Sequence, residues 1–267
     1  MKKFIFALIL TSLAMGSSVL PSHAMTIRIN APKIILDLAP GETYTGQVDV
    51  ENPTSDDVLI KAYLEDWVYK PGGTGEKDFL PAGSHALSAS KWINFSPAET
   101  PVKAFGRATV RYTVTVPQDV RGGYYSVLFF ETLLGQATTE EGAVVNVTGR
   151  VGALFFIDIK GTVQRDGKVE SVELKAPAGN KPMEIFTAFH NLGNADITLG
   201  GNYLIMGEEG SIKARGQMNK IYTFPGALET GKTEWVGRLD KGSYQALLTY
   251  DLGKGKSLVE ERDFTVE

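Results

Sequence analysis

Eight residues near the carboxyl end, Gly226-Ala-Leu-Glu-Thr-Gly231-Lys232-Thr233, satisfy the phosphate-loop pattern without a mismatch. Such a loop holds phosphate when a strand feeds glycine-rich backbone into a helix N-terminus, so that amides and the helix dipole converge on the anion. The next residues, Glu234-Trp235-Val236-Gly237-Arg238-Leu239, favour a strand, and no βαβ pattern surrounds them. The expectation is a plain turn between strands. A zinc or triad site needs several ligands close in space, yet His85 and His190 fall in different halves of the chain. The sequence has no cysteine, which excludes thiolate metal sites, cysteine nucleophiles, disulfides and acylated-cysteine anchors. No Gly-x-Ser-x-Gly occurs, and the acid pairs Asp56-Asp57, Glu140-Glu141 and Glu208-Glu209 lie at expected turns, where charges are solvated. The reading is a non-enzymatic protein with no cofactor and no metal.

The elements around these residues are strands. Gln47-Val-Asp-Val50, Thr109 to Val116 and Val145-Asn-Val-Thr148 alternate apolar with polar, as sheets with one wet face require. Turn signals such as Ala39-Pro-Gly41, Pro71-Gly-Gly73, Arg121-Gly-Gly123 and Asp166-Gly167 separate them, and no segment past the leader sustains a helical period. The fold class expected is all-β: two tandem immunoglobulin-like β-sandwich domains after a signal peptide. Two near-repeats support the duplication. Asn52-Pro-Thr-Ser-Asp-Asp57-Val58 matches Asn191-Leu-Gly-Asn-Ala-Asp196-Ile197, and Gly123-Tyr-Tyr125 matches Gly242-Ser-Tyr244 at the start of an apolar strand. The second pair reads as two tyrosine corners, in which the ring enters the core and the hydroxyl bonds upstream backbone. Trp67 is expected in the middle of the first sandwich. Residues 1–24 are read as the signal peptide, 25–160 as the first domain and 161–267 as the second.

Compartment and partners follow from the ends and the charge. Lys2 and Lys3 precede an apolar run from Phe4 to Leu13, and Ser22-His-Ala24 offers a cleavage site, so the chain is expected to be periplasmic or secreted. A span needs roughly 20 apolar residues, and no later run approaches that, so no membrane span is expected. The formal charge is −4 and basic residues are scattered, which sets nucleic acid aside. The stretch from Lys70 to Lys91, rich in Gly, Pro, Ser and charge, reads as a long loop that either covers one end of the first domain or carries contacts.

Several landmarks together carry a resemblance: Ala39-Pro-Gly-Glu42, Glu51-Asn-Pro53, Glu65-Asp-Trp67, Trp92-Ile-Asn-Phe-Ser-Pro97, Val116-Pro117, Gly122-Gly-Tyr124 and Phe129-Phe-Glu131. Across residues 31 to 160 the chain resembles the amino-terminal domain of PapD-like periplasmic pilus chaperones. It also resembles the peptidoglycan-binding domain of the WxL-interacting surface proteins. The second half, with Phe189-His-Asn191 and Phe224-Pro-Gly226, is similar to the carboxy-terminal immunoglobulin-like domains of such surface proteins. The chaperone resemblance implies that an unfinished pilin-like or surface subunit, lacking its last strand, is completed by a lent strand. That strand would be Val145 to Val151, with Val145, Val147 and Val151 entering the partner's groove. It also implies two basic residues that hold the subunit's terminal carboxylate. Lys33 matches the first; the second falls near Ala153, where the charge is absent, and Arg150 lies three residues earlier. The alternative is an adhesin or module binding cell-wall glycan, through the 70–91 loop and aromatics such as Phe79 and Trp92.

Overall fold

The computed structural model describes residues 27–139, 141–179 and 181–267; the leader read as a signal peptide and Glu140 lie outside them. Alternation in the sequence becomes alternation in burial. In β8 (Arg107–Thr115) Val110, Tyr112 and Val114 are buried while their neighbours face out, and in β12 (Met183–Asn191) every second residue from Met183 to Asn191 is buried.

The first sandwich faces two sheets. One has the order β1 (Arg28–Ile29), β3 (Thr43–Glu51), β8, β6 (Ile93–Ser96). The other runs β2 (Lys33–Leu38), β10 (Val144–Ile159), β9 (Gly123–Thr138), β4 (Val58–Tyr69), β5 (Lys77–Pro81), with β7 (Glu99–Val102) beside the start of β4. Between them Val48, Val50, Val110 and Val114 meet Ile60, Leu128, Phe130, Phe155 and Ile157, all essentially solvent-free. Each such side chain contributes about 1.5–3 kcal/mol through burial. In the second sandwich β11 (Gly167–Lys175), β12 and β16 (Leu228–Trp235) face β14 (Ile212–Gln217), β13 (Ile197–Met206), β17 (Gly242–Gly253) and β18 (Lys256–Val266). The short β15 (Ile221–Thr223) pairs with the start of β13. This sandwich has its own core around Ile185, Phe189, Ile205, Ala246, Leu248 and Tyr250. The all-β, tandem-sandwich class is what the structure shows.

Three local expectations need correction. The Lys70–Lys91 stretch is not all loop: β5 forms a hairpin with β4, in the register Tyr69 to Lys77 and Trp67 to Phe79, and a 3-10 turn covers Ser90–Trp92. Buried Asp66 fixes the segment after β5, accepting from the His85 N–H at 3.0 Å and from the Ser88 hydroxyl. Trp67 is fully buried, but on the outer face of its sheet, between the sandwiches. Its indole N–H donates to Ser126 O at 3.1 Å, and its ring meets Phe156, Phe224 and Tyr125 at 5.0, 5.2 and 5.5 Å. Tyr125, finally, turns its hydroxyl toward the second sandwich, accepting from the Asp196 N–H at 2.6 Å rather than bonding upstream backbone. The expected corner is present only at Tyr244, whose hydroxyl donates to Asp240 O at 2.8 Å.

Candidate functional site

The long β9–β10 hairpin builds one side of the site. β9 pairs with β10 along its whole length, but β2, on the other flank, covers only Leu154 to Ile159, ending at Lys33. Among the described residues no strand pairs with the outer edge of β10 from Val144 to Ala153. An uncovered edge offers N–H and C=O groups to any incoming strand. Its side chains alternate. Ala153, Phe155, Ile157 and Ile159 point into the core, and Val151, Val147 and Val145 continue that same face outward. Val151 is half-buried against the core, whereas Val147 and Val145 are 41% and 42% exposed. Leu134, the extra residue of a bulge in β9, packs over Gly149, so the apolar ridge continues past the end of the sandwich.

Arg150 lies on the opposite face of β10. Its guanidinium donates to Glu65 Oε1 at 2.9 Å and to the Tyr63 hydroxyl at 3.2 Å, and it stands 4.0 Å from the Phe129 ring centroid. It is neutralised inside its own sheet and is not grouped with Lys33. Lys33 opens β2, with Nζ 4.0 Å above the Phe156 ring. The second cation beside it is Lys77 of β5, in the stretch that composition alone assigns to a loop. Lys77 Nζ lies 5.5 Å from the Trp67 ring and 5.4 Å from that of Tyr69, and it donates to Gly75 O at 3.0 Å. Partial burial, and then the like charge of Lys33, pull its amine below the ordinary lysine value. Neither lysine makes a close ion pair among the described residues, whereas Arg165, Lys103 and Lys232 do. Two ammonium groups with no carboxylate in direct contact, one of them sensed by Asp196, stand over an aromatic floor and suit an incoming carboxylate. The sequence carries no clear sign of Lys77, because Lys77-Asp-Phe79-Leu-Pro81 does not alternate apolar with polar.

The second sandwich forms the adjoining wall. Phe224 packs against Tyr125 and Tyr69 at 4.5 and 4.9 Å, and Tyr222 against Tyr69 at 5.5 Å. Each such pair adds about 0.5–1.5 kcal/mol beyond its buried area. Behind them Arg165, in the connecting segment, bonds both Asp158 carboxylate oxygens at 3.2 and 3.0 Å and lies 3.6 Å from Asp196. Burial raises the Asp196 pKa, with Arg165 opposing and Asp158 adding to the rise. The aromatics suggested for a glycan platform are otherwise engaged: Trp92 packs on Tyr124 at 4.3 Å, and Phe79 sets its edge on Phe129 at 4.9 Å. The phosphate-loop match runs from a turn at Gly226 straight into β16, with no helix to receive an anion. His85 accepts from the Leu87 N–H through Nδ1, while His190 sits on β12 facing Glu170 at 3.5 Å. No helix among the described residues is long and apolar enough to cross a membrane.

No family model and no curated protein matches the sequence. Solved structures similar to the chain include the class 5 fimbriae chaperone CfaA, at 15% identity and a TM-score of 0.46, covering 88% of this chain and 98% of that one. The chaperone YadV aligns at 10% identity and 0.45, covering 90% and 100%. The Escherichia coli chaperone DraB aligns at 12% and 0.39, covering 91% and 98%. Alignments this distant carry no residue-by-residue correspondence.

Proposed function

We propose that this chain is a periplasmic carrier for an incomplete β-sandwich subunit, such as a pilin or a related surface protein. It completes the subunit by lending the free edge of β10. The observation that carries the reading is that edge itself: ten residues paired on one flank only, with Val145 and Val147 exposed on the face that continues the core. A groove missing its last strand would gain backbone hydrogen bonds from the edge and apolar contacts from alternate side chains. Lys33 and Lys77 lie on the outer face of the same sheet, beside the end of that edge, where a strand laid along β10 could place its terminal carboxylate. On this reading the chain acts by binding a protein partner, in the compartment expected from the leader-like start of its sequence.

The test is a Val145→Asp, Val147→Asp double variant used as bait beside wild type in a periplasmic extract, with mass spectrometry of the retained proteins. Both valines are too exposed to hold the fold together, and Val151 is spared because it supports the core. The expected result is a small β-rich subunit held by wild type and lost by the variant. Equal capture by both proteins would remove the strand-lending reading.

A further inference from the structure

The turn between β4 and β5, Lys70 to Glu76, does not stand free in solvent but lies against the second sandwich. The Gly72 N–H donates to Glu229 Oε2 at 2.7 Å, and Gly73 O accepts from the Tyr222 N–H at 3.0 Å. This approach requires glycine. Gly73 and Gly75 hold left-handed backbone, with φ of 67° and 82°, and both lie too close to the other sandwich for a side chain. A β-carbon on Gly73 would fall 2.9 Å from Ile221 Cγ2, and one on Gly75 would fall 2.6 Å from the Tyr222 ring. The carbonyl of that same Gly75 is the acceptor for Lys77 Nζ. An unbroken line of contacts therefore runs from the Tyr222 ring through the Gly75 backbone to the amine of Lys77.

We propose that the Lys70–Glu76 turn is a clasp through which the second sandwich positions Lys77, so that anion binding at the Lys33–Lys77 pair depends on the docking of the two sandwiches. The inference rests on reading that pair as the carboxylate anchor. A free lysine side chain loses rotamer freedom when it is fixed. Holding the amine on the Gly75 carbonyl meets part of that loss before the anion arrives, which is preorganisation. The clasp also keeps the amine against Trp67 and Tyr69, where burial lowers its pKa. Opening the clasp returns Lys77 to water, and its pKa rises toward the ordinary lysine value.

The experiment uses the full mature chain with lysine labelled at the ε-carbon, as wild type, Gly75→Ala and the milder Glu229→Ala. The turn lies outside both cores, so the sandwiches fold in each variant. Two quantities are read: the titration of the Lys77 resonance, and the affinity for an acetylated Val-Thr-Val-Thr-Val peptide bearing a free carboxyl terminus compared with its carboxamide. The expected result is a Lys77 titration that moves upward in the variants, together with a fall of about fivefold or more in the preference for the free acid. If wild type binds acid and amide alike, the carboxylate reading fails and the proposed dependence with it, whatever Lys77 does. If the acid is preferred equally by all three proteins, the anchor stands and the clasp is overturned.

Discussion

Tyr125 and Tyr244 open corresponding strands of the two sandwiches with the same Gly-x-Tyr signature, yet their hydroxyls serve different structures. Tyr244 donates to Asp240 O at 2.8 Å, four residues back, and stacks on Phe264 at 5.6 Å, closing its own sandwich. Tyr125 instead accepts from the Asp196 N–H and lies 3.3 Å from Asp196 Oδ1, across the domain boundary. Burial, with the Asp196 charge adding, pushes its phenol far above the usual range. The motif decides how the chain enters the strand; the ring's partners depend on which surface is offered to it. Asn52 and Asn191 make the complementary point, because here both copies do the same work. Each side chain is buried, donates to the backbone carbonyl four residues ahead, at 2.6 Å to Asp56 O and 3.0 Å to Ala195 O, and accepts from the N–H two residues ahead.

The largest expected effects test that equivalence. Asn52→Ala removes a donor from the carbonyls of Asp56, Val102 and Lys103, and Asn191→Ala removes one from Ala195 O and from the Thr223 hydroxyl. Each should cost its own sandwich about 2–4 kcal/mol, read from urea unfolding, because several buried hydrogen bonds are lost at once, each worth about 0.5–1.5 kcal/mol. A loss confined to one of the two would show that the bond pattern alone does not make the loops equivalent. Next come the tyrosines. Tyr244→Phe should lower the second sandwich's own stability by about 1 kcal/mol, whereas Tyr125→Phe should leave both sandwiches intact and weaken their docking by about 1–2 kcal/mol. Faster amide exchange at Asp196 would report the latter; an unchanged rate would mean that the aromatic cluster alone holds the boundary.

The contrast explains what a sequence discloses. The asparagine loops are legible because each side chain bonds groups two and four residues ahead, besides its distant partners, so that part of the spacing is written in the chain. Strand alternation is local in the same way, and Val145, Val147 and Val151 could be placed on one face by counting. The partner of Tyr125 is 71 residues away, and nothing near Gly123 distinguishes it from its counterpart at Gly242. Lys77 was hidden more deeply. Its place depends on the β4–β5 register, and that hairpin turn is held by Glu229 and Tyr222, which lie more than a hundred residues on in sequence. Glycine, proline and charge in the Lys70–Lys91 stretch read as loop, although two of the glycines, Gly73 and Gly75, let the second sandwich come close.

The smallest effect comes from the turn that faces each asparagine, where the residue types differ but two backbone bonds are shared. The Asn52 N–H donates to Gly106 O and the Gly106 N–H to Lys103 O; the Asn191 N–H donates to Ala227 O and the Ala227 N–H to Phe224 O. Phe105 and Gly226 thus occupy the same position, each left-handed, with φ of 55° and 78°. A non-glycine residue held there costs roughly 1–2 kcal/mol, and Phe105, 74% exposed, recovers little of it through burial. Phe105→Gly removes that strain but loosens the unfolded chain by about 0.5–1 kcal/mol, so the net expectation is a gain near 0.5 kcal/mol. Gly226→Ala should move the other way by about 1 kcal/mol, although the space around its β-carbon is open, because only the backbone angle opposes it. Opposite signs in paired urea titrations would establish that the two loops share one backbone geometry. A loss of stability in Phe105→Gly would mean instead that the exposed ring contributes contacts the first sandwich needs.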